Sequence, residues 1–254
     1  MKPEIDRRAI AALSGGHFAA DFASGSVPAL IPFLTDKFDL NYALAAVLLL
    51  AVTVSSSLVQ PLFGFWSDRR GALWLIPGGV LLAAVGVGGA AVAPAYPLVL
   101  LLVFAGGLGV AAFHPEGAKF AAYASGRKRA SGMSYFNIGG NTGYALGAFA
   151  TAQLVVWLGL VGGLVAMVPV FFASILLVRV VPPFARLRPG MAQQFPTART
   201  HGGRRIHLLD QGGQSRARHL CIGVIHAGKH EWRQRRITVT RKIAPQTGAQ
   251  SRLF

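Results

Sequence analysis

The stretch GVAAFHPEGAKFAAYASGRKR, residues 109–129, decides the fold because it places ionisable groups in an apolar run. His114, Glu116 and Lys119 stand where further leucines are expected, Pro115 separates the first two, and three bases close the stretch. A lone ionisable group near the centre of a bilayer costs at least ~2.5–3.5 kcal/mol and is retained mainly in a bundle interior or an aqueous cavity. The stretch therefore indicates a functional transmembrane helix that ends at a basic loop.

The composition also places the chain in a membrane, since 53% of the residues are hydrophobic and only 13% are charged. The formal net charge of +16 is unevenly distributed. Residues 1–185 contain 11 Lys/Arg and 7 Asp/Glu, whereas residues 186–254 contain 14 and 2. The single cysteine, Cys221, excludes a disulfide framework and a cysteine metal site. Two parts of different character are therefore joined in one chain.

Six apolar runs are long enough to cross ~30 Å of hydrocarbon, which takes roughly 20 helical residues. They cover residues 9–34, 42–65, 72–93, 97–122, 132–157 and 159–181. The last two runs are nearly continuous, so we place a tight turn between them at WLGLVGG. The first run is longer than a signal-peptide core and contains His17 and Asp21. We therefore expect an all-α membrane protein with six transmembrane helices.

The bases beside the spans indicate the orientation of the bundle. Eleven fall in the loops and termini of one side, against Lys37 alone on the other. The eleven are Lys2, Arg7, Arg8, Arg69, Arg70, Arg127, Lys128, Arg129, Arg179, Arg186 and Arg188. Because positive charge favours the cytoplasmic side, we expect both ends of this six-helix half to be cytoplasmic, in the inner or plasma membrane of the cell.

Only spans one and four carry ionisable groups at depth. Asp21 lies at the midpoint of span one, and His17 lies one helical turn away on the same face. In span four, His114 lies just below the middle and Glu116 about one turn from the cytoplasmic end. Two hypotheses stay open. Either these groups form a proton pathway, or Asp21 with His17 and Glu116 with Lys119 are structural pairs.

Span five contains NIGGNTGYALG, in which Gly139, Gly143 and Gly147 recur every four residues on one side. This spacing predicts a seam at which two helix backbones approach closely. Asn137 and Asn141 share another side, where they either line a polar cavity or bond to a neighbouring helix.

The spans repeat in the order charged, polar and apolar. Spans two and five supply the polar members, which are Ser55, Ser56, Ser57 and Gln60 in one and Asn137, Asn141 and Gln153 in the other. The second set of three enters the membrane from the opposite side. This order predicts an inverted three-plus-three repeat around a central site.

The loop GFWSDRRG, which follows span two, resembles the cytoplasmic loop between helices two and three of the major facilitator superfamily. Gly64, Asp68, Arg69 and Gly71 match its signature of a glycine, then Asp-Arg, then another glycine. A glycine lets helices touch, the carboxylate caps a helix or pairs with a base, and the arginine anchors to headgroups.

A longer stretch, FHPEGAKFAAYASGRKRASGMSYFNIGGNTGYALG, is similar to the fourth and fifth helices of the fosmidomycin-resistance family within that superfamily. HFAADF and SSSLVQPLFGFWSDRRG resemble its first two helices, with His17, Asp21, Gln60 and Pro61 in the matching places. The resemblance runs from residue 10 to about residue 185 and implies the N-terminal half of a twelve-helix major facilitator fold. It also implies export of a small, anionic or amphiphilic, drug-like compound coupled to inward proton flow.

The resemblance ends near Pro189, which divides a six-helix bundle at residues 1–189 from a basic, disordered tail at residues 190–254. The tail has no run of membrane length and no helical or strand periodicity. A change of reading frame near residue 190 explains it better than a segment that binds anionic lipid or nucleic acid, so nucleic acid is not an expected partner. Its five histidines lack a metal-ligand spacing.

The residues and the resemblance together predict a transporter in the lipid bilayer that exchanges a small-molecule substrate for protons. Asp21 and Glu116 are the candidate proton sites, and His17 and His114 are candidate relay or substrate-contact groups. The candidate pathway also includes Gln60, Asn137 and Asn141.

Two alternatives belong to other classes. One is a truncated, inactive half-transporter or a membrane scaffold, because alternating access needs a second bundle, from a separate half or a homodimer. The other is an intramembrane hydrolase, but the sequence has no His-Glu-x-x-His motif, nucleophile elbow or glycine-rich phosphate loop. We therefore expect no enzymatic activity, no cofactor and no metal site.

Overall fold

The structure is a computed structural model that describes residues 5–187, so the predicted tail at residues 190–254 lies outside the described part of the chain. Within the described part the chain forms helices and turns and no β-strand. The α-helices are α1 (Arg7–Phe38), α2 (Tyr42–Thr53), α3 (Gln60–Arg70), α4 (Leu75–Val92), α5 (Tyr96–Ala124), α6 (Arg129–Leu158) and α7 (Val161–Val180). A 3₁₀-helix at Pro182–Leu187 follows α7.

Five segments of the described chain are long and apolar enough to cross a membrane, and α6 is not among them. The five are Arg7–Phe38, Tyr42–Arg69, Leu75–Val92, Tyr96–Ala124 and Val161–Val180. With 30 residues, α6 is about 45 Å long at ~1.5 Å per residue, but its glycine, serine, asparagine and glutamine residues make it less apolar. The all-α membrane class is confirmed, whereas six spans and an inverted repeat stay predictions.

The second predicted span is not one continuous α-helix, because a π-helical turn at Val54–Leu58 separates α2 from α3. Pro61, in the first turn of α3, has no N–H to donate to the carbonyl four residues before it. The hydroxyl groups of Thr53 and Ser55 donate to backbone carbonyls of the preceding turn. This local competition for backbone carbonyls explains the change of helical period here.

The contact between α1 and α6 is made by the three glycines whose spacing predicted a seam. A Cβ atom at Gly139, Gly143 or Gly147 would collide with a backbone carbonyl oxygen of α1. Those oxygens belong to Ser14, Phe18 and Phe22 respectively. The predicted close approach of two helix backbones is therefore confirmed.

Apolar side chains fill the core and also cover the outer surface. Phe113, Phe120 and Leu13 are fully buried in a core that runs through α1, α4 and α5. Large apolar side chains on the outside are exposed, including Leu58, Phe149, Trp157, Phe172 and Leu176. Such extended apolar faces are unfavourable in water and suit a lipid environment.

A glycine turn and a hydrogen bond are found where the chain reverses direction. Gly159, with a φ of 63°, ends α6, and α7 begins two residues later, which confirms the turn predicted at WLGLVGG. At the end of α1, Nζ of Lys37 donates a hydrogen bond of 2.7 Å to the carbonyl of Ala93, the C-cap of α4. The base predicted on the outer side therefore neutralises part of the negative end of a helix dipole.

Candidate functional site

Three of the predicted site residues, from two helices, meet at one point. Nε2 of His17 in α1 lies 3.2 Å from Oδ2 of Asp21, and Nε2 of His114 in α5 lies 3.2 Å from Oδ1 of the same carboxylate. The two Nε2 atoms are themselves 3.2 Å apart. The three side chains, in chain order, are 10%, 19% and 23% exposed. We call this group the His–Asp–His cluster.

Backbone carbonyls decide which ring nitrogens of the cluster carry hydrogen. Nδ1 of His17 lies 2.8 Å from the carbonyl oxygen of Phe136, and Nδ1 of His114 lies 2.8 Å from that of Val110. A carbonyl oxygen only accepts, so both Nδ1 atoms donate. When the rings are neutral, both Nε2 atoms present lone pairs to each other and to the carboxylate of Asp21. Only a cation between them, such as a proton, holds these acceptors together favourably.

The third wall of the cluster is α6. The ring of His17 stacks on that of Phe136, with centroids 4.0 Å apart and an interplanar angle of 22°, and lies 6.0 Å from Phe113. A Cβ atom at Gly140 would lie 2.5 Å from Nε2 of His17 and 2.6 Å from Oδ2 of Asp21. The absence of a side chain at this glycine therefore gives the cluster its room.

Glu116 belongs to a second network, which joins α5 to α3. Its carboxylate is fully buried, accepts a hydrogen bond from Oγ of Ser67 and lies 2.7 Å from Nζ of Lys119. Nζ of Lys119 also donates to Oγ of Ser67 at 2.7 Å and to Oδ1 of Asp68 at 2.9 Å. This geometry agrees with the structural-pair hypothesis for Glu116, and a proton-carrying role for it stays a prediction.

Three of the four loop-motif residues lie within α3, and the fourth, Gly71, is its C-cap. Gly71, with a φ of 65°, ends the helix and donates its N–H to the carbonyl four residues back at 2.7 Å. A Cβ atom at Gly64 would lie 3.6 Å from Cβ of Pro115, an ordinary van der Waals distance, so α3 packs against α5 there. The guanidinium carbon of Arg69 lies 4.0 Å from the centroid of the Phe65 ring. Asp68 pairs with a base, which was one of its two expected roles.

The remaining predicted pathway residues do not join the cluster. Gln60 is partly buried at the start of α3, and Asn137 and Asn141 are exposed on α6, away from the glycine seam. An exposed amide on an apolar helix is unfavourable against hydrocarbon and favourable beside water or another polar group. Both hypotheses for the asparagines, lining a polar cavity and bonding to a neighbouring helix, therefore stay open.

Sequence reasoning missed several residues that contact the predicted site residues or join α1 to α6. Ser67 directly precedes the Asp-Arg motif, and Gly140 directly follows a seam glycine, so both stood beside residues that had been singled out. In the α1–α6 contact, Oγ1 of Thr151 donates to Oγ of Ser26 at 2.7 Å. Finding these partners requires the rotation of each helix about its axis, which spacing within one helix does not supply.

The apolar helices, the glycine–Asp-Arg loop and the buried ionisable cluster together are typical of a helical membrane transporter. A model of the Major Facilitator Superfamily matches residues 13–240 of the chain. The chain therefore belongs to the Major Facilitator Superfamily and is a membrane protein.

Curated relatives match more than half of the chain. It is 34% identical over 160 residues to YfnC, an uncharacterized MFS-type transporter of Bacillus subtilis (strain 168). This match covers 61% of the present chain and 39% of the relative. It is 32% identical over 146 residues to the fosmidomycin resistance protein of Escherichia coli (strain K12), covering 58% of this chain and 36% of the relative. The predicted family resemblance is confirmed. The chain spans less than two fifths of the length of these relatives.

Proposed function

We propose that the chain acts as the N-terminal half of a proton-coupled exporter of a small anionic or amphiphilic compound, with both ends of the half in the cytoplasm. The observation that carries this proposal is the His–Asp–His cluster. Asp21 stands near the middle of α1, the 32-residue helix Arg7–Phe38, and two imidazole nitrogens lie 3.2 Å from its oxygens. Burial of a carboxylate at this depth is costly unless a cation neutralises its charge. A proton is the smallest cation that can do so.

The arrangement suits proton transfer because the three acceptors are divided between two helices. A proton on the pair of Nε2 atoms has an alternative acceptor in the carboxylate of Asp21, so it moves between groups without leaving the cluster. His17 belongs to α1 and His114 to α5, and a relative movement of these helices changes the distances between the acceptors. Proton occupancy and helix position are thereby coupled, as alternating access requires.

The substrate class is supported by a cavity at the ends of α1 and α6 that carry the basic loops. It has a volume of about 950 Å³ and contains the cationic side chains of Arg7 and Lys128 beside Ser14, Ser131 and Tyr135. A compound with an anionic head and an apolar body complements such a lining. Fosmidomycin is the test compound we choose, because one relative is a fosmidomycin resistance protein.

The transport test uses the purified chain in liposomes with an imposed proton gradient. We expect fosmidomycin movement that depends on the gradient, and Asp21→Asn should abolish it, since the substitution removes the titratable group at nearly constant shape. Asp36→Asn is the matched control, because Asp36 lies on the same helix but is exposed near its end. Full transport by Asp21→Asn would return the carboxylate to a structural role. No transport by the unsubstituted chain, either alone or together with a separate second half, would favour the inactive half-transporter.

Alternating access also needs a second bundle, which we assign to a separate half or a second copy of this chain. In the transport test, the two sources differ in what must be added. If a second copy suffices, the liposomes need no other protein, and transport rises with the square of the chain density at low density. If a separate half is required, transport appears only when that half is reconstituted together with the chain.

The orientation is tested by labelling cysteines on intact cells. In a Cys221→Ser background, Ala95→Cys should react with an impermeant thiol reagent, because Ala95 is exposed in the loop between α4 and α5. Arg127→Cys, exposed in the basic loop between α5 and α6, should react only after the cells are opened. The reverse pattern would refute the cytoplasmic placement of both ends.

A further inference from the structure

We propose that His17, Asp21 and His114 form a binding site for a divalent transition-metal ion of the zinc class. The three residues offer ligand atoms that all lie within 4.8 Å of one another. The closest nitrogen–nitrogen and nitrogen–oxygen separations in the group are each 3.2 Å. The inference goes beyond the proposed transport and does not require it, because a metal ion binds to these atoms whether or not the chain moves a substrate.

The spacing of the ligand atoms fits a tetrahedral ion. Zinc binds imidazole nitrogen at ~2.0–2.1 Å and carboxylate oxygen at ~2.0–2.2 Å, and tetrahedral angles then place ligand atoms roughly 3.3–3.4 Å apart. The nitrogen–nitrogen separation of 3.2 Å is within a few tenths of an ångström of this value. The two nitrogen–oxygen separations of 3.2 Å involve different oxygens of Asp21, Oδ2 for His17 and Oδ1 for His114, so an ion binds through both carboxylate oxygens or after a rotation of the carboxylate. Two imidazoles and one carboxylate are also a ligand set that zinc uses when a fourth position stays open.

The hydrogen bonds behind the ligands prepare the rings for a metal. Each Nδ1 donates to a backbone carbonyl at 2.8 Å, from Phe136 for His17 and from Val110 for His114. Such a bond on the far nitrogen fixes the tautomer whose Nε2 lone pair faces the ion. Stacking on Phe136 further holds the His17 ring in its orientation. The protein therefore holds both imidazoles in the tautomer whose Nε2 lone pair is free to bind an ion.

The space around the cluster is limited on the α6 side at Gly140, where an added Cβ would lie 2.5 Å from Nε2 of His17 and 2.6 Å from Oδ2 of Asp21. The partial exposure of Asp21 and His114, 19% and 23%, gives access for a water molecule in the fourth position. Two nitrogen ligands favour zinc, cobalt, nickel or copper over calcium and magnesium, which prefer oxygen. The site thus discriminates between metal ions by ligand chemistry.

The experiment measures zinc binding to the purified full-length chain in detergent. The chain has seven histidines, so replacing His201, His207, His219, His226 and His230 by alanine leaves only the two of the cluster. Adding Cys221→Ser removes the only thiol. In this background we expect one zinc ion per chain by chelator competition, and two imidazole ligands by X-ray absorption. Neither measurement depends on transport, so its failure is distinct from failure of the proposed function.

Two further variants in the same background locate the ion. His114→Ala removes a ligand, and Gly140→Ala keeps all three ligands but pushes a methyl group against them. Since outer-shell changes alone cost roughly 10–100-fold in affinity, each variant should weaken zinc binding by at least about 100-fold. Gly15→Ala is the matched control, because nothing lies within 4 Å of its added Cβ, and its affinity should be unchanged. Absence of bound zinc in the background, or unchanged affinity in both variants, would overturn the proposal.

Discussion

Gly143→Ala tests the seam between α1 and α6 at its centre. A Cβ atom at Gly143 would collide with the carbonyl oxygen of Phe18, and Cβ atoms in real proteins essentially never come closer than 3.0 Å to such a neighbour. The position of a Cβ atom is fixed by its own backbone and the oxygen belongs to the backbone of α1, so no side-chain rotation relieves the contact. The two helices must separate by on the order of 1 Å, and overpacking of this kind costs ~1–3 kcal/mol.

The assay is unfolding of the purified protein in mixed micelles, followed by far-UV circular dichroism. Alanine also has a higher helix propensity than glycine by roughly 1 kcal/mol, which opposes the collision. Gly15→Ala carries the same change in propensity on α1 but has open space around its Cβ. The free energy of unfolding of Gly143→Ala should therefore lie ~1–3 kcal/mol below that of Gly15→Ala. Equal values for the two variants would refute the close approach of the backbones.

Further predictions concern the polar networks, and the same unfolding assay checks them. Lys119→Met removes the ammonium group beside the buried carboxylate of Glu116 and should lower the free energy of unfolding by about 3 kcal/mol. The double variant with Glu116→Gln should recover much of that loss, and no recovery would contradict the pairing. Thr151→Val removes one hydrogen bond to Ser26 between membrane helices and should cost about 0.6 kcal/mol; a loss well above ~2 kcal/mol would point to another cause.

The seam and the turn were predictable because they depend on spacing within a short stretch. Three glycines at four-residue intervals lie on one side of any α-helix, so their common face did not require knowledge of the partner. The break at Val54–Leu58 was not predicted, because a run of apolar and hydroxyl residues has the same hydropathy in an α-helix and in a π-turn. The apolar runs also predicted six spans, whereas five helices of the described chain are long and apolar enough to cross a membrane and the more polar α6 is not one of them.

The cluster was predictable in part. His17 and Asp21 share a face through their four-residue spacing, so their contact followed from helix geometry. His114 was the other imidazole at similar depth, but its contact with Asp21 depends on how α5 packs against α1. The hydrogen bond from His17 to the backbone of Phe136 and the role of Gly140 depend on how α6 is rotated against α1. That rotation is fixed by packing over residues far apart in sequence, which a single sequence without a partner helix does not encode locally.

The π-turn at Val54–Leu58 changes what a one-residue deletion would do to the second membrane segment. A π-turn holds one residue more than the α-helical turn it replaces, so loss of Ser57 lets the chain close into a regular helix there. The direction of every side chain from Gln60 onward is then preserved. The same deletion a few residues later, inside α3, would rotate the following residues by roughly 100° and turn Ser67 away from Glu116. Loss of one residue should therefore be tolerated at this turn and disruptive in the helix that follows it.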